Sequence, residues 1–183
     1  MITSEGTITF PALFEPKETP SGDMKFSCSF LIPKSDKEGI KRLKAEIAKA
    51  IEKGKEKCWN GKTPKFNYQP LRDGDKELKE EEKEGKEYKG VMFLNASANA
   101  DSPPGVVGPD AQPLMDHAAM YSGCIVRLDI RAFPYKRAGN SGVGWWLNNV
   151  MLVRDGERLD GKMNAVDAFA DYAVEDEDDG DLA

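Results

Sequence analysis

Between Cys124 and Tyr135 the chain reads CIVRLDIRAFPY, and its even and odd positions differ in kind. Cys124, Val126, Leu128, Ile130, Ala132 and Pro134 form a mostly apolar set, whereas Ile125, Arg127, Asp129, Arg131, Phe133 and Tyr135 mix charge with aromatic rings. Successive side chains of a strand point to opposite faces, so the pattern predicts a strand with one face in a core. Its arginines and rings project together from the other face. Lys25 to Ile32 alternates likewise, with Phe26, Cys28, Phe30 and Ile32 on a greasy side and Lys25, Ser27 and Ser29 on a polar one. Thr7 to Phe10 gives a first strand ending at Pro11, YKGVMFLN at 88–95 a third, and VGWWLNNVMLV at 143–153 a last one. In that last strand Leu147 and Val150 fall on opposite faces under strict pleating, which predicts a bulge near Asn148 and Asn149. Trp145 and Trp146 then point to opposite faces, one core and one exposed, and alternation does not say which.

Helical spacing appears in one stretch. Ser35-Asp36-Lys37-Glu38 reads as a capping box, and Ile40, Leu43, Ile47, Ala50 and Ile51 recur at helical spacing until Gly54, predicting an amphipathic helix over 36–53. The segments PALFEPKETPSGD after the first strand and ASANADSPPGVVGPDAQP after the third are dense in Pro and Gly and predict turn and loop. A long connection at 59–87 ends in the charged block 73–87.

Five strands and one helix in 183 residues describe a single, mainly β domain with appendages. This is the element count of a five-stranded OB-fold barrel, elaborated by one amphipathic helix and long loops. The helix stands after strand two, whereas the usual OB-fold helix stands between strands three and four. The expected division is an OB-fold domain over 1–173, with its inserted helix at 36–53 and charged loop at 73–87, and a disordered acidic tail over 174–183.

Charge sharpens the picture. The net charge is -6, and Glu175, Asp176, Glu177, Asp178, Asp179 and Asp181 of the tail account for all of it. The block 73–87 holds eight acids and four lysines, so the remaining body carries a modest basic surplus of four. No run of about 18 apolar residues occurs, and no secretory signal is expected at the start MITSEGTITF. Three cysteines at irregular spacing fit reduced thiols in a cytoplasmic compartment. With a single histidine, His117, and no C-x-x-C spacing, no metal site or cofactor is expected. Phosphate-loop, dinucleotide, zinc-protease and nucleophile-elbow motifs are all missing, so no enzyme is expected and no catalytic residue is nominated.

Flat rings beside spaced cations are what unpaired nucleic acid demands, the rings for stacking and the cations for phosphates. The candidate DNA-contact residues are Lys25, Tyr68, Arg127, Arg131, Phe133, Tyr135, Lys136, Arg137, Trp145 and Trp146. The plain alternative buries Phe133 and Tyr135 under the long loops. Trp59 and Phe66 close over the same surface or pack a satellite core.

PLRDGD (70–75), FLNAS (93–97), YSGCIVRLDIRAFPY (121–135), AGNSGVGWWLNNVMLVRDGERLDG (138–161) and DAFADY (167–172) together resemble a bacteriophage family of single-stranded DNA-binding proteins. The resemblance runs from about residue 5 to the acidic end. It implies an OB-fold with an inserted helix, a DNA groove across the barrel face where Arg131, Phe133 and Tyr135 fall, and a replication or recombination role in the cytoplasm of an infected bacterium. Its ligand would be single-stranded DNA, with duplex DNA bound more weakly. The tail would compete for the groove and contact replication proteins. The rival expectation is an acidic protein-interaction or DNA-mimic module that binds a basic host protein. A membrane partner is not expected.

Overall fold

In the computed structural model, which describes residues 1–77, 86–137, 139–162 and 168–172, the predicted alternations become strands. Phe26, Cys28, Phe30 and Ile32 are all buried along β2 (Met24–Pro33). Strand β1 (Gly6–Glu18) pairs antiparallel with it but does not end at Pro11. Its register shifts between Thr9 and Ala12 and again before Lys17, and Pro11 and Pro16 lie in those interruptions, where no ladder N–H is required. The expected turn therefore shrinks to Thr19–Asp23, closed by Gly22 N–H donating to Thr19 O at 2.8 Å.

Helix α1 (Lys37–Lys57) is capped by Asp36, whose carboxylate accepts from Gly39 N at 2.8 Å, so the cap stands one residue after Ser35. The helix passes through Gly54 for another turn. Gly54 serves packing instead, because a Cβ there would lie 2.4 Å from the Trp59 ring. Strand β3 (Arg72–Asp73) and the helical turn α2 (Gly74–Glu77) follow, then β4 (Val91–Asn99) and β5 (Gly105–Val107). The segment 96–113 is thus more regular than expected. Strand β4 continues through it to Asn99, and β5 pairs parallel with the last strand at the sheet edge. Two long strands, β6 (Ile125–Arg137) and β7 (Asn140–Arg154), complete the fold.

Five strands close into a ring in the order β1-β2-β4-β7-β6, with β6 returning to β1. All contacts in it are antiparallel except the β4–β7 pairing at Ser97 and Trp146. This is the Greek-key order of the OB-fold, with α1 inserted between the second and third ring strands. The interior is filled by Ile8, Phe30, Ile32, Leu94, Val126, Leu128, Ile130 and Val150, each at most 1% exposed. Each such side chain contributes about 1.5–3 kcal/mol by leaving water. A second cluster joins Ala50 of α1, Trp59 and Val143, with Phe66 and Ala132 against it, which settles Trp59 as satellite core. Its Nε1 donates to Tyr135 O at 3.1 Å, tying the end of α1 to β6. No helix among the described residues is long and apolar enough to cross a membrane.

Burial pushes the Cys28 thiol up to about 12, and it raises Cys124 as well, while Cys58 is only half-buried. Since the thiolate is the nucleophile, iodoacetamide on the native protein should modify Cys58 first. Cys28 and Cys124 should react only after denaturant is added. Peptide mapping by mass spectrometry checks this, and early labelling of Cys28 would contradict the packing described.

Candidate nucleic-acid interface

Residues paired across adjacent strands share a face, and one such row crosses four of the ring's five strands. Ser27 of β2 pairs with Ser97 of β4, Ser97 with Trp146 of β7, and Trp146 with Arg131 of β6. Lys25 opposite Asn99, and Ser29 opposite Asn95, belong to the same face, and Ser29 Oγ donates to Asn95 Oδ1 at 2.6 Å. One half of this face is therefore hydroxyl and amide. The other half is aromatic, because Phe133 and Tyr135 follow Arg131 at the odd positions of β6.

Bare backbone makes room for those rings. Phe133 pairs with Gly144 and Tyr135 with Gly142, and a Cβ at either glycine would come within 2.8 Å of the opposing ring or hydroxyl. Phe133 also stacks on Trp146, with centroids 4.5 Å apart and planes 22° from parallel. Tyr135 is tilted 50° to Phe133 at 6.3 Å. The rings border a cleft of about 650 Å³ that Lys25, Tyr68 and Asn99 also line. It continues at one end, past Asn99 and Trp146, into a cleft of about 350 Å³ beside Arg131 and Asn148. At the other end, past Tyr68 and Tyr135, lies one of about 290 Å³ beside Asn95 and Arg72. The three share walls and form one trough.

Eight of the ten sequence candidates line this trough: Lys25, Tyr68, Arg131, Phe133, Tyr135, Arg137, Trp145 and Trp146. Tyr68 is 70% exposed, and Arg131 has no ion pair among the described residues. Arg137 reaches the trough while holding Asp23 at 3.0 Å, and its guanidinium keeps the Asp23 carboxyl below the usual range. That pair is solvent-exposed and worth little.

Trp145 borders only the cleft beside Asn95 and Arg72; it is 2% exposed and its Nε1 donates to Pro70 O at 2.8 Å, so it packs as a core residue. Two candidates stand elsewhere. Arg127 shares the parity of Arg131 but lies a turn of pleat farther along, donating to Glu5 at 3.1 Å and Thr3 O at 3.3 Å. Lys136 is exposed on the opposite face of β6, with Ala132 and Pro134. The tail residues Glu175, Asp176, Glu177, Asp178, Asp179 and Asp181 lie outside the described residues.

Sequence reasoning missed Asn95, Asn99 and Asn148. The first two were legible in FLNASAN, where Asn95, Ser97 and Asn99 alternate with Leu94, Ala96 and Ala98, but the strand was ended at Asn95. Asn148 is the extra residue of the β7 bulge, since Asp129 pairs with Asn149 while Ile130 pairs with Leu147. Among the described residues no group of three or more His, Cys, Asp or Glu is arranged to hold a metal.

Comparison with known proteins places this geometry. In sequence the chain is 33% identical over 180 residues to protein p50 of Acyrthosiphon pisum secondary endosymbiont phage 1, covering 94% of this chain and 93% of that one. In structure it is similar to the single-stranded DNA-binding protein from bacteriophage Enc34, with a TM-score of 0.71 at 21% identity over 92% of this chain and 88% of that one. The same phage protein in complex with single-stranded DNA gives 0.72 at 21% identity, over 86% and 87%. The gp2.5 single-stranded DNA-binding protein encoded by bacteriophage T7 gives 0.64 at 19% identity, over 100% and 97%. The family model described as the ssDNA-binding protein of Enterobacter phage Enc34 matches residues 1–181, and the chain belongs to that family.

Proposed function

We propose that the protein binds single-stranded DNA along the trough without chemistry of its own, coating and protecting strands exposed during phage DNA replication and recombination in the host cytoplasm. The observation that carries this reading is the row of Tyr68, Tyr135, Phe133 and Trp146 between Lys25, Arg137 and Arg131. Rings stack on bases of any sequence, and cations track the backbone. Stacking is worth about 1–3 kcal/mol per base, so a few engaged rings suffice without base-edge reading.

The acidic tail completes the proposal. Six carboxylates on the same chain would be presented to the trough at an effective concentration of order millimolar and would compete for its cations when DNA is absent. Long single strands, making several contacts at once, displace the tail and release it to replication partners. Duplex DNA, a weaker ligand, loses the same competition.

Four measurements follow. Phe133→Ala and Tyr135→Ala should each weaken oligo(dT) binding by about 1–3 kcal/mol, read by fluorescence anisotropy, with Tm near that of the parent. Trp145→Ala should do the reverse, losing about 3–5 kcal/mol of stability in denaturant titration. If four to six phosphates are held, log affinity should fall against log salt with a slope of about -3 to -4. A chain ending at Val174 should bind more tightly than the full chain, most of all to duplex DNA. Equal affinities would remove tail competition and leave the trough reading standing.

A further inference from the structure

The end of the trough beyond Trp146 differs in chemistry from its aromatic middle. Asn99, Arg131, Trp146 and Asn148 border it together in a cleft of about 350 Å³, within the roughly 300–1,000 Å³ range of small-ligand sites. The bulge in β7 divides the labour of two neighbouring amides. Asn149 is committed to the fold, its Nδ2 donating to Asp129 Oδ2 at 2.9 Å. Asn148 is pushed out of the ladder, exposed, and its side chain makes no hydrogen bond among the described residues. Bulges re-aim side chains in this way beside functional sites. The side chains of Asn99 and Arg131 are also without a partner among the described residues. Two amides and a guanidinium with unused hydrogen-bonding capacity thus converge on one indole.

Phe133 covers one face of that indole, and the cleft bordered by the amides and Arg131 gives a base a second approach to the ring, apart from the aromatic middle of the trough. A second base, on the Tyr135 side of Phe133, would be separated from the first by two stacked rings. The pair would thus interrupt a base stack and set one nucleotide apart.

We infer that this end cleft is a base-reading subsite for a single deoxynucleotide. The base lies on Trp146, its phosphate is held by Arg131, and its edge is read by the amides of Asn99 and Asn148. In an unpaired strand every base can offer an asparagine amide one adjacent donor and acceptor, but adenine alone offers such a pair on both its Watson–Crick and its Hoogsteen edge, one for each amide, so the favoured base is adenine. The inference rests on the proposed binding of single-stranded DNA and adds one selective position to an otherwise sequence-tolerant trough.

The test uses the full chain and short oligo(dT) in which a single dA is moved through each position in turn, with affinity read by fluorescence anisotropy. One position should bind about fivefold or more tightly than all-dT, the lower end of the discrimination a bidentate amide supplies. The ratio should fall toward one in both Asn148→Ala and Asn99→Ala, with thermal melting confirming that each is folded. Equal affinity at every position in the parent protein, or a ratio undiminished in both variants, would overturn the subsite. Failure of plain oligo(dT) to bind would overturn the trough reading itself, and the subsite with it.

Discussion

The antiparallel pairing of β6 with β7 is the constraint on which the rest of the molecule depends. It spans both strands from end to end, and its pleat sorts residues so that Val126, Leu128 and Ile130 fill the interior while Arg131, Phe133 and Tyr135 stand outside. The same register sets glycines opposite the two rings and Trp146 opposite the arginine. Core and binding face are two sides of one ladder, so a slip of one residue would exchange them. The bulge at Asn148, one of two register shifts in this ladder, adjusts it without breaking it, letting Leu147 and Val150 both reach the interior.

A chain of net charge -6 joins a family named for binding a polyanion, and its charges are segregated to make that workable. Acids accumulate in the block 73–87 and at 174–183, away in sequence from the strands that build the trough. Within the trough the fixed cations are few, and Arg137 already shares its charge with Asp23. Attraction to phosphate is therefore moderate. In the proposed binding mode, stacking on uncharged rings, which salt screens little, would supply what a sparse cationic track does not.

Much of this was legible before any coordinates. Strict alternation in CIVRLDIRAFPY fixed which residues of β6 face outward, and the conflict between Leu147 and Val150 located the bulge. Family resemblance and strand count together gave the OB-fold. Illegible were the features decided by tertiary partners. Pro11 and Pro16 signal strand ends in isolation, yet bulges excuse them from the ladder. Gly54 looks like a helix stop until Trp59 is seen lying on it. Trp145 and Trp146 are indistinguishable by composition, and only the acceptor at Pro70 O and the ring of Phe133 separate a core indole from a surface one. Arg127 has the right parity, but parity carries no information about Glu5, which neutralises it from 122 residues away.

The glycines opposite Phe133 and Tyr135 tie the trough's shape to exchanges of volume between neighbouring strands. No side chain fits at 142 or 144 while those rings hold their places, so the depth of the channel is fixed by what β7 lacks as much as by what β6 carries. A descendant that enlarges either glycine must shrink the ring across from it in the same stroke. Drift along this wall is thereby confined to compensated pairs.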